Sequence, residues 1–516
     1  MQQLTGLDTQ FLAMETETTA GHVASLAILD PSTAPGGRLD LAELTAVLRE
    51  RLHLLPPLTK KLQKVPFALD RPYWIEDPHF DLGYHVRELA LPAPGSEEQL
   101  AEQVARLHAR RLERARPLWE IYLISGLADG RVALYTKLHH AAIDGVSGNE
   151  IISVLYDLAP EGRAVEPARE APDAAAPNTL GLLARGVLRL PWHPIENARA
   201  LSRILPHLDI VPAMAGAPGS RAISRTLSRL RNAIEPGDSA VIERPAIRAP
   251  RVPFSRRISP HRRFALGDVS LDEVKQIKNH FGVTVNDVVV SLVAGATREW
   301  LLAHDALPGR PVVAMVPVSV RTEEQMGTYG NRISMMMVPI PTHLSDPAER
   351  LRATHETLRS AKEQHNAMPA TALQDVTNFI PPAVHARATR LAMGLAARPQ
   401  LRPLCNLVVS NVPGSSVPIH LAGARLLAIY PVSAIADGTG LNVTIMSYLD
   451  RINIGAVADR EQMPDLQAIV DDMCAEVAAL LAVAGPGPAA RAAPSGRPAP
   501  NGSAPRKPRP RRRAPA

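Results

Sequence analysis

The chain has 516 residues, 46% of them hydrophobic, 21% charged and 4% aromatic, which is enough for two or three domains around large cores. Its formal net charge is +6, but the segment from Gly485 onward contributes +8 with no acidic residue, so the rest of the chain carries −2. A near-neutral body with few aromatic residues gives no basis for nucleic-acid binding. The only cysteines, Cys405 and Cys474, exclude a disulfide framework and a cysteine-based zinc site.

No signal peptide and no membrane-spanning segment are predicted. The N-terminal Met-Gln-Gln-Leu-Thr-Gly has neither a basic nor an apolar region, and no run approaches the ~18 to 20 apolar residues that a spanning helix needs. We therefore expect a cytoplasmic protein whose contact with the inner membrane face or with lipid droplets, if any, is peripheral.

Residues 1–160 alternate between helical and extended patterns. The predicted elements are a strand within 18–30, a helix at 41–52, extended chain at 73–91, a helix at 97–115 and strands at 119–127 and 131–138. An Asp129-Gly130 pair typical of hairpin turns joins the last two strands. Side chains in the second of these strands alternate in the way of a half-buried strand.

The segment Lys137-Leu-His-His-Ala-Ala-Ile-Asp-Gly145 follows that strand and is the predicted catalytic centre. If the alternation continues, His139 and His140 point to opposite faces, so one pocket can use only one of them as a general base, and we predict His140. An imidazole with a pKa near 6.5 can take a proton from an alcohol, which is typically worth about 10²- to 10⁴-fold in rate. Asp144 and Gly145 are better placed to shape the loop than to react.

Other interpretations of the histidines stay open. The pair could be a structural core histidine beside a surface one, and His22 could reach the site, although a structural role is the commoner one for a histidine on a strand. Two histidines and an aspartate could also bind a metal. Opposite-facing neighbours chelate poorly, and no cysteine or further histidine lies nearby at ligand spacing, so no metal is expected.

After a helix that ends near residue 158, a Pro/Ala-rich connection is predicted at 161–250. Within it, residues 180–205 mix apolar side chains with arginines, which fits either a helix on a lipid surface or one packed on the body. The second half, 251–485, has helices that begin at capping boxes, Ser270-x-x-Glu273 and Thr284-x-x-Asp287. Its further predicted elements are strands at 312–320, 333–340, 407–412, 425–429, 441–448 and 452–457 and helices at 346–366, 382–397 and 464–483. The last four of these strands are expected to complete the sheet of this half. The Ala/Pro/Arg tail, 486–516, is expected to be disordered.

Seven sequence blocks together resemble a known family. His139-His140-x-x-x-Asp144-Gly145 is similar to the active-site signature of the CoA-dependent acyltransferase superfamily. The other blocks, which narrow the resemblance to the bacterial bifunctional wax ester synthase/diacylglycerol acyltransferase family, are Leu7-Asp8-x-x-Phe11-x-x-x-Glu15 with His22, Phe80-Asp81-Leu-Gly-Tyr-His85-Val, Arg116-Pro117-Leu118-Trp119-Glu120, Thr284-Val-Asn286-Asp287-Val, Pro317-Val-Ser-Val-Arg321 and Ser410-Asn411-Val412-Pro413-Gly414. The resemblance runs from about residue 4 to about residue 480. It departs at Ser415, where the family usually has proline, and a looser turn is expected there.

The resemblance implies an α/β (α+β) fold of two chloramphenicol-acetyltransferase-like halves, each a mixed β-sheet packed with helices, with a tunnel between them. It implies acyl-CoA as co-substrate, no bound cofactor, and diacylglycerol or a long-chain alcohol as acceptor. The chain contains no Gly-x-Ser-x-Gly nucleophile elbow, which agrees with direct transfer without an acyl-enzyme.

The resemblance also assigns roles to residues. His140 is the proton acceptor, His139, Asp144 and Gly145 support the motif, and Arg321 is the expected partner of Asp144. Asn286, at the positive end of a helix dipole, could donate to an oxyanion or a CoA phosphate, whereas Asp287 is explained as a capping residue. Two alternatives remain: another hydroxyl acceptor, such as a phthiocerol-type diol or a carrier-bound substrate, and a non-catalytic lipid-surface protein.

Overall fold

The structure is a computed structural model that describes residues 1–66, 70–142, 148–167, 249–319, 333–366 and 403–485. Within these ranges the strands are β1 Gln2–Gln3, β2 His22–Asp30, β3 Lys60–Gln63, β4 Tyr73–Glu76, β5 Val86–Ala90, β6 Trp119–Ser125, β7 Val132–His139, β8 Arg262–Ser270, β9 Val312–Ser319, β10 Ile333–Ile340, β11 Leu407–Val412, β12 His420–Leu421, β13 Ala424–Val432, β14 Leu441–Tyr448 and β15 Arg451–Asp459. The α-helices are α1 Gly6–Met14, α2 Leu41–Arg51, α3 Leu82–His85, α4 Glu97–Ala109, α5 Gly148–Leu155, α6 Leu271–Phe281, α7 Val285–Ala303, α8 Pro347–Asn366 and α9 Gln467–Ala484.

Two mixed six-stranded sheets, one for each half, organise these elements. The first has the order β12-β13-β2-β7-β6-β5 and the second the order β10-β9-β11-β14-β15-β8. Parallel pairing joins β5 to β6, and β11 to both β9 and β14, while the remaining pairs are antiparallel. The predicted α/β architecture of two sheet-rich halves is therefore confirmed.

The C-terminal half contributes a β-hairpin to the first sheet. Strands β12 and β13 lie within the C-terminal half of the chain, yet β13 pairs with β2 in the first sheet. The expectation that 425–429 completes the second sheet is thus wrong, because a strand's own side chains do not specify which sheet edge it will meet. Where β13 crosses β15, a Cβ on Gly455 would lie 1.8 Å from the Pro431 carbonyl oxygen, so only glycine fits this close approach.

Strand β7 is buried on both faces, which corrects the prediction of a half-buried strand. Leu134 and Leu138 pack into a core that includes Leu44 of α2. On the other face, Tyr135 packs in a core with Val104 of α4 and also with residues of the second sheet. The second half therefore supplies the cover that alternation alone does not predict, and the strand that leads to the histidines is fixed on both sides.

Most other predicted elements are present, with local differences. The helix predicted at 97–115 ends at Ala109, and a helical turn, Leu82–His85, interrupts the extended chain predicted at 73–91. The predicted capping box of Thr284 and Asp287 is confirmed. At the other predicted box only one of the two bonds is present, since Ser270 accepts from the backbone of Glu273 and no return bond from the Glu273 side chain is found. The predictions for 180–205, 382–397 and 486–516 concern segments outside the described residues.

Within the described ranges, no single helix has both the length and the apolar character to cross a membrane. The pair α6 and α7 meets the length and composition criteria only jointly, with a bend of 102° between them. Most side chains of α7 are buried in the second half, including Val288, Leu292 and Trp300.

Candidate active site

The predicted catalytic segment begins where β7 ends. His139 is the last residue of the strand and His140 the first of a 3₁₀ turn that runs to Ala142. The backbone of each histidine is held by a different neighbour: the amide of His139 donates to the Leu118 carbonyl at 2.9 Å and that of His140 to the Gly21 carbonyl at 2.8 Å. The Pro-Leu-Trp block and the residue before β2 therefore place the histidine pair.

The two imidazoles have different surroundings. The His140 ring is half-buried and stacks on Phe11 of α1, with ring centroids 4.0 Å apart and 13° between the planes. The His139 side chain is only 1% exposed. Because β7 ends at His139, His140 lies in the turn and the β alternation does not continue to it.

His139 lies against the buried carboxylate of Glu15. Its Nε2 is 3.2 Å from Oε1 of Glu15, and its Nδ1 accepts the backbone N–H of Ala141 at 3.0 Å. Gly21 leaves the space for this contact, since a Cβ there would lie 2.8 Å from His139 Nε2. Arg114 binds the other oxygen of Glu15, with Nε at 3.0 Å from Oε2.

The Glu15 carboxylate is ionised. Burial alone would raise its pKa, but hydrogen bonding to His139 and Gly21 and the nearby charge of Arg114 outweigh burial and lower the pKa from 4.5 to about 2. An ionised carboxylate can only accept hydrogen bonds.

A second group of buried histidines is structural. Nε2 of His22, which is fully buried, is 2.7 Å from the His108 carbonyl oxygen, and burial lowers the pKa of His22 well below its ordinary value. His108 accepts from the Tyr135 hydroxyl and donates to the Ser433 carbonyl of the second half, and burial lowers its pKa to about 3. Both rings are therefore neutral at physiological pH, and His108 links the two halves.

Lys137 of β7 and Glu120 of β6 form a buried ion pair. The Lys137 Nζ is 3.1 Å from Oε2 of Glu120, and the two side chains are 1% and 9% exposed. The ammonium also donates to the carbonyls of Leu107 and Arg110 at the end of α4. The pair therefore fixes β7 to β6 and to the C-terminus of α4.

Trp119 makes the contacts of an architectural residue. Its side chain is 1% exposed, and its indole N–H donates to the Leu58 carbonyl at 2.8 Å. It stacks on His85 at 4.4 Å, while Nδ1 of His85 is 2.8 Å from the Trp119 carbonyl oxygen. These contacts fill the interior beneath β6.

Blocks of the second half meet at the start of α7. Asn411 donates to Oδ1 of Asn286 at 3.5 Å, and Asp287 is paired with His355 of α8 at 2.8 Å in addition to its capping role. Beside them, a cleft of about 270 Å³ is lined by Leu271, Val285, Asn411, Pro413, Ile445, Ser447 and Ile452. A structural role for Asp287 is supported, and the catalytic role of Asn286 stays a prediction.

The turn that departs from the family pattern is closed by a side chain. The Ser415 hydroxyl donates to the Val417 carbonyl at 2.8 Å and accepts the Val417 N–H at 3.2 Å. The Ser415 carbonyl accepts from Leu449 at 2.9 Å. The expected loosening is therefore offset by hydrogen bonds of the serine itself.

Asp144, Gly145 and Arg321 lie outside the described residues, so their predicted roles are not tested. Among the described residues, no group of three or more His, Cys, Asp or Glu side chains is arranged to hold a metal ion. Sequence reasoning missed the contacts of Phe11 and Glu15 with the two histidines, although the quoted block that contains them was a signal. Arg114 carried no signal.

Comparison with known proteins finds relatives along most of the chain. The family model described as the wax ester synthase/diacylglycerol acyltransferase catalytic domain matches residues 4–289, and the WS/DGAT C-terminal domain matches residues 329–480. Two Mycobacterium tuberculosis proteins named as diacylglycerol O-acyltransferases are 34% and 35% identical over 472 residues, covering 91% and 90% of this chain and 88% and 96% of theirs. The structure of a wax ester synthase/diacylglycerol acyltransferase from Marinobacter aquaeolei superposes with a TM-score of 0.66 at 29% identity, covering 94% of this chain and all of that one. The chain therefore belongs to the wax ester synthase/diacylglycerol acyltransferase family.

Proposed function

We propose that the protein transfers the acyl group of acyl-CoA to the hydroxyl of diacylglycerol, giving triacylglycerol and CoA, and that it also acylates long-chain alcohols. Membership of the family and the names of its relatives support this activity. The observation that carries the assignment to a site is the His140 ring, half-buried on Phe11 at the end of β7. The neighbouring His139 is held in the interior by Ala141 and Glu15 and is only 1% exposed, whereas the His140 ring is half-buried.

In the proposed reaction, His140 accepts the hydroxyl proton as the acceptor oxygen attacks the thioester carbonyl carbon. The C–S bond then breaks, and the imidazolium returns its proton to the departing thiolate, so the products are an ester and free CoA. The transfer is direct and requires no acyl-enzyme and no bound cofactor. Acyl-CoA acts only as co-substrate.

Asp144 and Arg321 are proposed to form an ion pair between the halves, which orients the loop after His140. Removing one partner of a buried ion pair destabilises the protein, because the other charge is left uncompensated. We expect the stability losses of Asp144→Asn and Arg321→Gln to be strongly non-additive in a double-mutant cycle measured by thermal unfolding. Simple additivity of the two losses would argue against the pair.

The protein is proposed to act in the cytoplasm and to meet its lipid acceptor at the inner membrane face or at a droplet surface. The basic amphipathic pattern at 180–205 supports this location, since arginines beside an apolar face favour anionic lipid surfaces.

A CoA-release assay with palmitoyl-CoA and a panel of acceptors tests the function. The panel contains a diacylglycerol, hexadecanol, a long-chain diol and no acceptor. Release that depends on diacylglycerol or hexadecanol, with formation of the matching ester, is the expected result. Release with the diol alone would move the assignment to another hydroxyl acceptor, and no acceptor-dependent release at all would leave a non-catalytic lipid-surface protein.

A further inference from the structure

The bridge that His139 makes between Ala141 and Glu15 requires one tautomer. Because Nδ1 accepts the Ala141 N–H at 3.0 Å, Nδ1 must be unprotonated. A neutral imidazole then carries its proton on Nε2, the nitrogen that lies 3.2 Å from Glu15 Oε1. The opposite tautomer would set an N–H of the ring against the N–H of Ala141 and leave the turn without this hydrogen bond.

Glu15 is built to select that tautomer. Its carboxylate is 4% exposed, and Oε1 also accepts the Gly21 N–H at 3.0 Å. Its second oxygen is held by Arg114, whose Nη2 additionally donates to the Leu12 carbonyl at 2.8 Å. An ionised carboxylate fixed in this way can accept a hydrogen bond from an N–H of His139 but has no proton to donate.

The bond that depends on this tautomer shapes the turn that carries His140. A side-chain acceptor that binds the N–H two residues ahead forms the ring of an Asx turn, a conformation normally supplied by asparagine or aspartate. Here the acceptor is an imidazole nitrogen, and the enclosed residue is His140. His140 is also supported by the Gly21 carbonyl, 2.8 Å from its amide, and by the Phe11 ring, whose centroid lies 4.0 Å from that of the imidazole.

We infer that Glu15 is a positioning residue for the transfer reaction: by fixing the tautomer of His139, it holds the turn that aims His140 at the substrate. The inference rests on the proposed role of His140. Glu15 touches neither substrate nor the reacting atoms, and its effect passes through one hydrogen bond of His139. A misplacement of about 1 Å in a reacting group can lower turnover by about 10²-fold, so we expect a loss of kcat with little change in KM.

Two substitutions of His139 separate its hydrogen bond to Ala141 from its contact with Glu15. Asparagine places its Oδ1 where Nδ1 was, so His139→Asn keeps an acceptor for Ala141 but cannot reach Glu15. Glutamine extends to the position of Nε2, so His139→Gln can still meet Glu15 but offers no acceptor to Ala141. We expect His139→Asn to keep kcat within about tenfold of wild type and His139→Gln to lose about 10²-fold, with KM for palmitoyl-CoA within about threefold in both.

The decisive measurement is the effect of Glu15→Leu in two backgrounds. In the wild-type chain it should lower kcat by at least about tenfold, because the tautomer is no longer selected. In the His139→Asn chain it should change kcat by less than about twofold, because an amide oxygen needs no tautomer. Equal losses of kcat in both backgrounds would reduce Glu15 to a purely structural residue and overturn the inference. Glu15→Met, which carries no carboxylate or amide oxygen and is close to glutamate in length, replaces Glu15→Leu in both backgrounds if the latter does not fold.

A matched control is available in the second half. Arg350 and Glu476 also form a buried pair, 2.6 Å apart, with side chains 2% and 8% exposed. Glu476→Gln should lower thermal stability but leave kcat per folded enzyme unchanged.

Crystal structures of the two His139 variants give a readout that does not depend on activity. The His140 ring should stay stacked on Phe11 in His139→Asn and leave it in His139→Gln. An unmoved ring in both variants contradicts the inference even if the enzyme acylates some other acceptor. A wild-type protein inactive on every acceptor would instead contradict the proposed function.

Discussion

His140→Ala is expected to lower turnover of palmitoyl-CoA and diacylglycerol by about 10²- to 10⁴-fold, the usual worth of a positioned general base. The protein should stay folded, because the His140 ring is half-buried and stacks on Phe11 at the end of β7. KM for the acyl-CoA should change little, since the imidazole acts on the proton of the acceptor. The measurement is acceptor-dependent CoA release, with circular dichroism and thermal unfolding to confirm the fold.

A surface histidine provides the control. His343 is exposed in the second half, and His343→Ala should match wild type in both turnover and stability. Unchanged acceptor-dependent turnover in His140→Ala would remove His140 as the base and with it the proposed mechanism.

Lys137→Met is expected to cause a large stability loss, about 3 to 5 kcal/mol in the free energy of unfolding. The substitution keeps the apolar stem but removes the ammonium that serves Glu120 and the carbonyls of Leu107 and Arg110. Glu120 would then remain buried without its closest cation. Chemical denaturation of the purified variant, followed by circular dichroism, measures this loss.

The double variant Lys137→Met/Glu120→Gln should be less destabilised than the sum of the two single variants, because no uncompensated carboxylate remains. The exposed pair Lys275 and Asp272, 3.0 Å apart, gives the comparison, and Lys275→Met should change stability by less than about 1 kcal/mol. If Lys137→Met is as stable as Lys275→Met, the buried pair does not hold β7 as we argue.

Local chemistry was predictable where the signal lies within a few residues. The hairpin of β6 and β7 follows from its turn, and the starts of α6 and α7 follow from Ser270 and Thr284, because a cap needs only the next three residues. The histidine pair was also identified in this way. By contrast, helix α4 ends before the predicted residue 115 because the following chain brings Arg114 to Glu15, a contact between residues 99 positions apart.

The pattern of polar and apolar residues does not predict which strands pair when they lie far apart in the chain. Nothing in residues 424–432 specifies β2 as their partner, since every strand presents the same backbone donors and acceptors and only the assembled edges decide. For the same reason, the cover on the second face of β7 was not predicted.

Motifs, periodicity and helix caps are encoded in neighbouring residues, so the chain's residues alone were enough to predict the family, the order of the elements and the short segment that carries the histidine pair. The surroundings of the two histidines depend on tertiary packing. Phe11 and Glu15 reach them from helix α1 and its C-terminal end, more than 120 positions away in the chain. Stacking and tautomer selection act over distances of 3 to 4 Å, and such contacts exist only once the sheets and helices have packed.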